Sequence, residues 1–482
     1  MISQTLWTLI AIQIAMGAFD TLFHHELTER LAWRPSQRRE LQLHGARNLI
    51  YAALFLTLGW LEPRGLWAFI VMALLGIEVV ITLVDFVEED MTRRLPASER
   101  VNHTLLALNY GVILALLVPV LLGWSRLDTG VTGVTYGWWS LLATLSTIGV
   151  ALFGLRDLAA ARRCLRLMPA PASELVQALA PGQVVLVTGA SGFIGQRLCE
   201  ALAAGGHEVI ALLRNPAKAD ALRAPYRLVT SLDQIADATK IDAIVNLAGE
   251  PIANRLWSAA RRRQLTASRV GMTQDVVRLT ARLTVKPGVL VSGSAIGWYG
   301  VRGDEALTET AASKPCFSHE LCAAWEAAAG EAVRHGVRVV LLRTGIVLGT
   351  QGGALTRLLT PFEFGLGGRF GDGRHWMSWI TRDDLVRLIA HVIADTRVEG
   401  PLNGTAPNPV RNSDFTRALA SALRRPALLP VPAAPLRWIA GDLARELLLG
   451  GQKVLPEKAV ASGFEFRDAE IGAALARMLG AR

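Results

Sequence analysis

The pattern of apolar and polar positions changes once along this chain, near residue 160. Before that point apolar residues run in long blocks, about Leu6–Phe23, Leu43–Leu61, Leu66–Phe86, Thr104–Trp124 and Trp138–Leu155. Most approach the ~20 residues that a bilayer-spanning helix needs. The second has the shortest uninterrupted core, Asn48–Leu61. The first has neither a basic leader nor a small-x-small cleavage site, so it reads as a retained helix. Beyond residue 160 the runs shorten. Val184–Thr188, Glu208–Leu213, Tyr226–Val229, Ala243–Leu247, Val289–Ser292 and Val337–Leu342 predict strands, with helical repeats such as Ser258–Leu283 and Glu320–Arg334 between them. Alternation of this kind builds a doubly wound parallel α/β sheet. From Gln351 onward the pattern loosens into Gly-rich loops and short helices.

Composition agrees with this division. The 482 residues suffice for two or three domains, and the apolar excess, 51% hydrophobic overall, sits almost entirely in the first third. The net charge of +9 comes from arginines scattered around apolar segments, with no basic stripe of the kind that binds nucleic acid. Arg30, Arg34, Arg38, Arg39 and Arg47 follow the first block, Arg93, Arg94 and Arg100 the third, and Arg156, Arg162, Arg163 and Arg166 the fifth. The alternate loops offer only Arg64 and Arg126. The positive-inside rule then places the N-terminus outside a cell membrane and everything after the fifth block in the cytoplasm. Cys164, Cys199, Cys316 and Cys322 show no paired spacing, which argues against a disulfide framework and a zinc site.

One stretch carries specific chemistry. Val184–Thr188 leads into Gly189-Ala190-Ser191-Gly192-Phe193-Ile194-Gly195, and an amphipathic helix follows. A strand, a glycine turn and a helix in this order form a dinucleotide-binding start. Gly189 permits the turn, Gly192 lets backbone approach a pyrophosphate, and Gly195 lets helix pack on strand. The N–H groups around Ser191, Phe193 and Ile194 face the phosphates. The second strand ends at Arg214, where an NAD site usually carries an acid; an arginine suits the 2′-phosphate of NADP, with Lys218 as a helper. Leu247, Ala248 and Gly249 would pass beneath the nucleoside, and Glu250 and Arg255 follow on a loop. The domain reading is therefore an all-α transmembrane bundle over 1–160, a linker over 161–181 and an NADP-binding Rossmann domain over 182–350. A substrate lobe and C-terminal domain over 351–482 return elements to the sheet.

The TGxxGxxG spacing resembles the extended short-chain dehydrogenase/reductase superfamily. Asn246–Ile252, Ser294–Gly300, Arg343–Gly349, Trp376–Ile380 and Ala406–Val410 narrow this to the atypical nucleoside-diphosphate-sugar epimerase-like family ending in a domain of unknown function. The resemblance covers about 183–480. It implies a substrate lobe after Gln351 and makes Ser294 the counterpart of a serine that polarises a substrate carbonyl. The superfamily's Tyr-x-x-x-Lys pair is absent: the positions fall near Ser318 and Cys322, and Trp325-Glu326 follows, as in the resembled family. Tyr299, the nearest phenol, reads either as a displaced general acid or as a packing aromatic. Arg343 is expected to tie the sixth strand to the site. Trp376 and Trp379 either stack on a flat substrate or close the lobe, with His375 beside them. Thr381 stands where the family commonly has histidine, and His319, His335 and His391 are expected at the surface.

These residues imply a membrane-anchored, NADP-dependent oxidoreductase or epimerase-like protein acting on a nucleotide sugar or another carbonyl compound. The alternative is a non-catalytic NADP-binding sensor or scaffold; a third reading passes NADPH electrons into the bilayer. No metal ligand is assigned in the nucleotide-binding part. In the apolar part stand Asp20, His24, His25, Glu26, His44, Glu78, Asp85, Glu89, Asn102, His103 and Asn109, most of which collect at the cytoplasmic ends of four helices. They read either as a metal or redox-cofactor site or as a network of ion pairs with Arg93, Arg94 and Arg100.

Overall fold

The computed structural model describes every residue except Met1, Arg94, Met168, Ala217, Lys218, Asp220, Ala221, Arg223 and Arg482. Arg94 and Lys218, both named above, thus lie outside the described residues. The chain divides into two units, Met1–Met168 and Pro169–Arg482.

The long apolar blocks of the first unit form helices α1 (Gln4–Phe19), α2 (Arg38–Trp60), α3 (Leu66–Thr92), α4 (Ala97–Ser125) and α5 (Trp138–Cys164). A two-stranded antiparallel ribbon, β1 (Leu61–Arg64) with β2 (Gly130–Gly133), links their ends. Among the described residues, four helical stretches are long and apolar enough to cross a membrane: Gln4–Trp33, Leu66–Thr92, Ala97–Ser125 and Trp138–Cys164. α2 is not among them, contrary to the expectation of five; its first ten residues include Arg38, Arg39, Glu40, His44 and Arg47. Small residues bring α2 against α5: a Cβ at Gly45 would lie 2.7 Å from Leu158, and one at Gly59 would lie 2.6 Å from the Ala143 Cβ. Beyond Phe19 the first helix widens into a π-helical segment, Asp20–Glu29, which ends at Arg30 in the left-handed region.

The second unit is a seven-stranded parallel sheet. Its strands are β3 (Val184–Thr188), β4 (Glu208–Leu212), β5 (Arg227–Val229), β6 (Ala243–Asn246), β7 (Val289–Ala295), β8 (Arg338–Thr344) and β9 (Gly400–Gly404), in the order β9-β8-β7-β6-β3-β4-β5. Alternation along the strands explains the two layers. Val185 and Val187 enter one core with Val209, Ala211 and Val245; Leu186 enters the other with Ile210, Ile244 and Leu290. The first core is covered by α6 (Phe193–Ala204), the second by α7 (Ala259–Arg282) and α8 (Phe317–Gly330). After α9 (Gly353–Glu363), the helix α10 (Arg382–Ala394) returns to the first core through Leu385, Leu388 and Ile389. The stretch expected as a linker is partly docked. Leu175, Val176 and Leu179 are buried in the first core, and the Ala170 carbonyl accepts from Arg197.

Candidate active site

The glycine turn has the conformation its sequence requires. Gly189 has φ of 68°, and a Cβ there would lie 2.7 Å from the Leu247 carbonyl oxygen. Gly195 packs closer still, since its Cβ would fall 2.2 Å from the Gly189 oxygen. Gly192, the residue before α6, has an ordinary extended backbone, and a Cβ there would meet only the Gly189 oxygen, at 3.0 Å. No side chain caps α6, and its first turn carries no acid, so the Phe193, Ile194 and Gly195 N–H groups are available to an anion. The turn's carbonyl at Ser191 accepts from Gln196. The Phe193 ring lies beneath the 349–353 loop: a Cβ at Gly352 would lie 2.5 Å from it. These features fit a dinucleotide pyrophosphate.

The adjoining strand ends carry the other sequence-derived cofactor residues. Thr188, in register with Asn246, donates to its side-chain oxygen at 2.6 Å and accepts from the Ala248 N–H at 3.2 Å. Asn246 in turn donates to Thr273, which also accepts from the Trp325 indole. This buried polar chain locks β3, β6, α7 and α8 together, and it was invisible to motif reading because its members lie 27 to 137 residues apart. A Cβ on Gly249 would lie 3.1 Å from the Arg269 guanidinium, which stands over Trp325 and donates to the Glu250 carbonyl. Arg214 is exposed at the end of β4, with Glu250 3.7 Å away. Glu250 also lies 3.5 Å from Arg261, so it steadies the loop on which the exposed cation stands.

Further along the carboxyl edge, Ser294, Arg343 and Asn403 are in register on β7, β8 and β9. Ser294 donates to Glu326 at 2.7 Å, and Arg343 clasps the same carboxylate with two bonds of 2.9 Å. Arg343 also donates to the Tyr299 hydroxyl and lies 3.6 Å over the Trp298 ring. Tyr299 is fully buried and donates to Asn403 at 2.7 Å, and burial raises its pKa. The phenol is thus enclosed, with both its proton and its acceptor capacity engaged; of the two sequence readings, this is the geometry of packing. Cys322, at the lysine position, is a buried thiol pushed up to about 12 and so stays neutral near pH 7. Ser318, at the tyrosine position, donates to Glu446.

Other expectations meet their surroundings. Trp379 is fully buried, its indole donating to the Asn408 carbonyl, so it closes the lobe. Trp376 donates to Asp304 under the Arg411 guanidinium. Thr381 caps α10 and donates to the buried Asp468. His319 and His391, expected at the surface, are half-buried and bonded to the Trp298 carbonyl and to Ser462. Asn403 and Glu309 were not singled out in the sequence; Glu309 accepts from the Asn403 N–H and holds the seventh strand to the site.

Comparison with known proteins agrees with this geometry. Residues 185–403 match the NAD dependent epimerase/dehydratase family, and residues 431–478 match a domain of unknown function, DUF1731. The chain is 39% identical over 293 residues to Epimerase family protein Mb2239 of Mycobacterium bovis, covering 61% of this chain and 96% of that one. This chain belongs to the NAD-dependent epimerase/dehydratase family. The human epimerase family protein SDR39U1, crystallised with NADPH, superposes with a TM-score of 0.57 at 33% identity, over 62% of this chain and 99% of that one. A nucleoside-diphosphate sugar epimerase from Corynebacterium glutamicum gives 0.51 at 32% identity, over 74% of this chain and 69% of that one. The second unit is therefore an NAD(P)-binding unit of the SDR39U1-like type.

Proposed function

We propose that this protein is an NADP-dependent oxidoreductase or epimerase acting on a small carbonyl or hydroxyl compound, held in a membrane by its first unit. The observation that carries the catalytic reading is the Ser294–Glu326–Arg343 cluster at the carboxyl edge of the sheet, where α/β folds bind their ligands. The cofactor, when bound, supplies or accepts hydride. Gly189, Gly192 and the first turn of α6 would hold its pyrophosphate, and Arg214 its 2′-phosphate. The NADPH in the human relative supports that preference.

Ser294 presents an oxygen whose proton is directed at Glu326, and the bidentate Arg343 fixes that carboxylate. A hydroxyl backed by an oriented carboxylate is a route for moving one proton to or from a substrate oxygen. Tyr299 orients Arg343 in this scheme and takes no proton. The test is turnover of NADPH with candidate carbonyl compounds. Ser294→Ala and Glu326→Gln should each lower kcat by about 10²–10⁴-fold, the usual contribution of a positioned acid–base group, with little change in NADPH affinity. Unchanged kcat in both variants would remove this cluster from catalysis.

Ser318 and Cys322 in place of the tyrosine and lysine favour a second reading, an NADP-binding sensor without turnover. Saturable NADPH binding with no oxidation across the carbonyl panel would select it.

The membrane reading rests on the surface of the first unit. Val80, Leu83, Val87, Leu108, Leu145 and Leu152 all stand exposed along α3, α4 and α5. Arginine placement orients the unit with its N-terminus outside and the cofactor-binding unit in the cytoplasm. Sedimentation of the full chain with membranes, resistant to high salt and carbonate, is the expected result; release by either wash would overturn it.

A further inference from the structure

The first unit carries an interior that neither the NADP site nor lipid contact explains. Three of its helices place ionisable groups four residues apart, one turn along a single face. These are Glu40 and His44 on α2, Asp85 and Glu89 on α3, and Glu99 and His103 on α4. The π-helical segment adds Asp20 and His25, five apart, a spacing that its wider winding brings into line. All eight are at least nine-tenths buried.

Their donor atoms converge. Asp20, His25, Glu99 and His103 each offer one atom within 4.8 Å of the others, and so do His25, Glu40, His44 and Glu89. The Asp20 carboxylate lies 3.0 Å from His103 Nε2 and 3.4 Å from His25 Nε2. Its other oxygen meets His24 at 2.8 Å, and His24 reaches on to Ser98. That is how an outer residue orients a ligating carboxylate.

Ion pairing accounts for only part of this cluster. Arg93 bonds to Glu40 and Glu99, and Arg47 bonds to Asp85. Arg93 also lies 3.6 Å from Glu89. Among the described residues, His25 Nε2, His44 Nε2 and Glu89 Oε2 are buried without a hydrogen-bond partner. Carboxylate oxygens lie 3.0–3.5 Å from the two imidazole nitrogens, close but without the alignment that an N–H···O bond needs. Unpartnered nitrogen and oxygen donors aimed into one space describe a cation site.

We propose that this helical unit binds a divalent transition metal, with His25 at the centre of the ligand set. Imidazole and carboxylate donors without thiolate select iron, manganese or zinc. Carboxylate and imidazole groups projecting inward from facing helices are the way bundles build such centres. The inference stands apart from the NADP reading, because every residue in it belongs to the first unit.

The test uses the full chain, purified in mild detergent, stripped of metal and reloaded with Fe(II), Mn(II) or Zn(II). After desalting, elemental analysis should find about one or two ions per chain for at least one metal. Co(II) added to the stripped protein should give ligand-field bands of a nitrogen–oxygen site, a readout that needs no variant. His25→Ala and Glu89→Gln should weaken retention by at least about tenfold. Glu78→Gln, which alters a buried carboxylate bonded to Tyr51 and Thr82 outside the cluster, should leave retention unchanged. Less than about a tenth of an ion per chain for every metal, with no Co(II) bands, would overturn the proposal and leave the cluster as a network of hydrogen bonds and ion pairs.

Discussion

At the scale of single residues, two side chains separate cofactor choice from structure. Arg214 is exposed, paired loosely with Glu250, and is the residue we propose for the 2′-phosphate. Arg214→Ala should weaken NADPH binding by about 1–3 kcal/mol, as a lost charge-assisted hydrogen bond does, and leave NADH binding almost unchanged. Equal losses for both nucleotides, measured by fluorescence titration, would deny it that role. Tyr299 is different in kind. Tyr299→Phe leaves Asn403 Oδ1 without its donor inside the protein, so stability to denaturant should fall by about 1–3 kcal/mol. The pH profile of any turnover should keep its shape; loss of one limb would return the phenol to acid–base chemistry. Sequence alone could not decide between the two readings of Tyr299, because the partner that encloses it, Asn403, lies 104 residues away on a strand with no apolar signature.

At the scale of elements, what was legible in the sequence followed from local physics. β3, the glycine turn and α6 are contiguous, so the motif can be read within a dozen positions, although Gly189 and Phe193 also pack on Leu247 and Gly352. Gly192→Val should therefore abolish nucleotide binding by covering the N-terminus of α6, with the fold intact, since φ of −78° suits a branched residue. Circular dichroism with an NADPH titration checks both halves; near-normal affinity would contradict the cofactor position. β9 was harder to read. Gly400-Pro401-Leu402-Asn403-Gly404 carries few apolar residues, and only its pairing with β8 makes it a strand. The π-helical Asp20–Glu29 shows the same limit: its sequence suggested a helical face, but the winding that buries His24 and His25 together is set by packing. In the same unit Glu40 and Glu99 each stand four residues before a histidine, a spacing that marks a shared helix face but no site by itself.

At the scale of the whole molecule, the chain joins a family-typical NAD(P)-binding unit to a helical unit with an ionisable interior. The boundary was legible as a change of periodicity, whereas the docking of Leu175, Val176 and Leu179 depends on an apolar face built from residues distant in sequence. The central claim is that the second unit binds NADP through the glycine turn and Arg214. It is tested most directly by titrating the purified full chain with NADPH and with NADH under one set of conditions. Saturable binding of both is expected, with NADPH tighter by about tenfold or more, equivalent to about 1.4 kcal/mol. Binding of neither nucleotide, or NADH binding as tightly as NADPH, would contradict it.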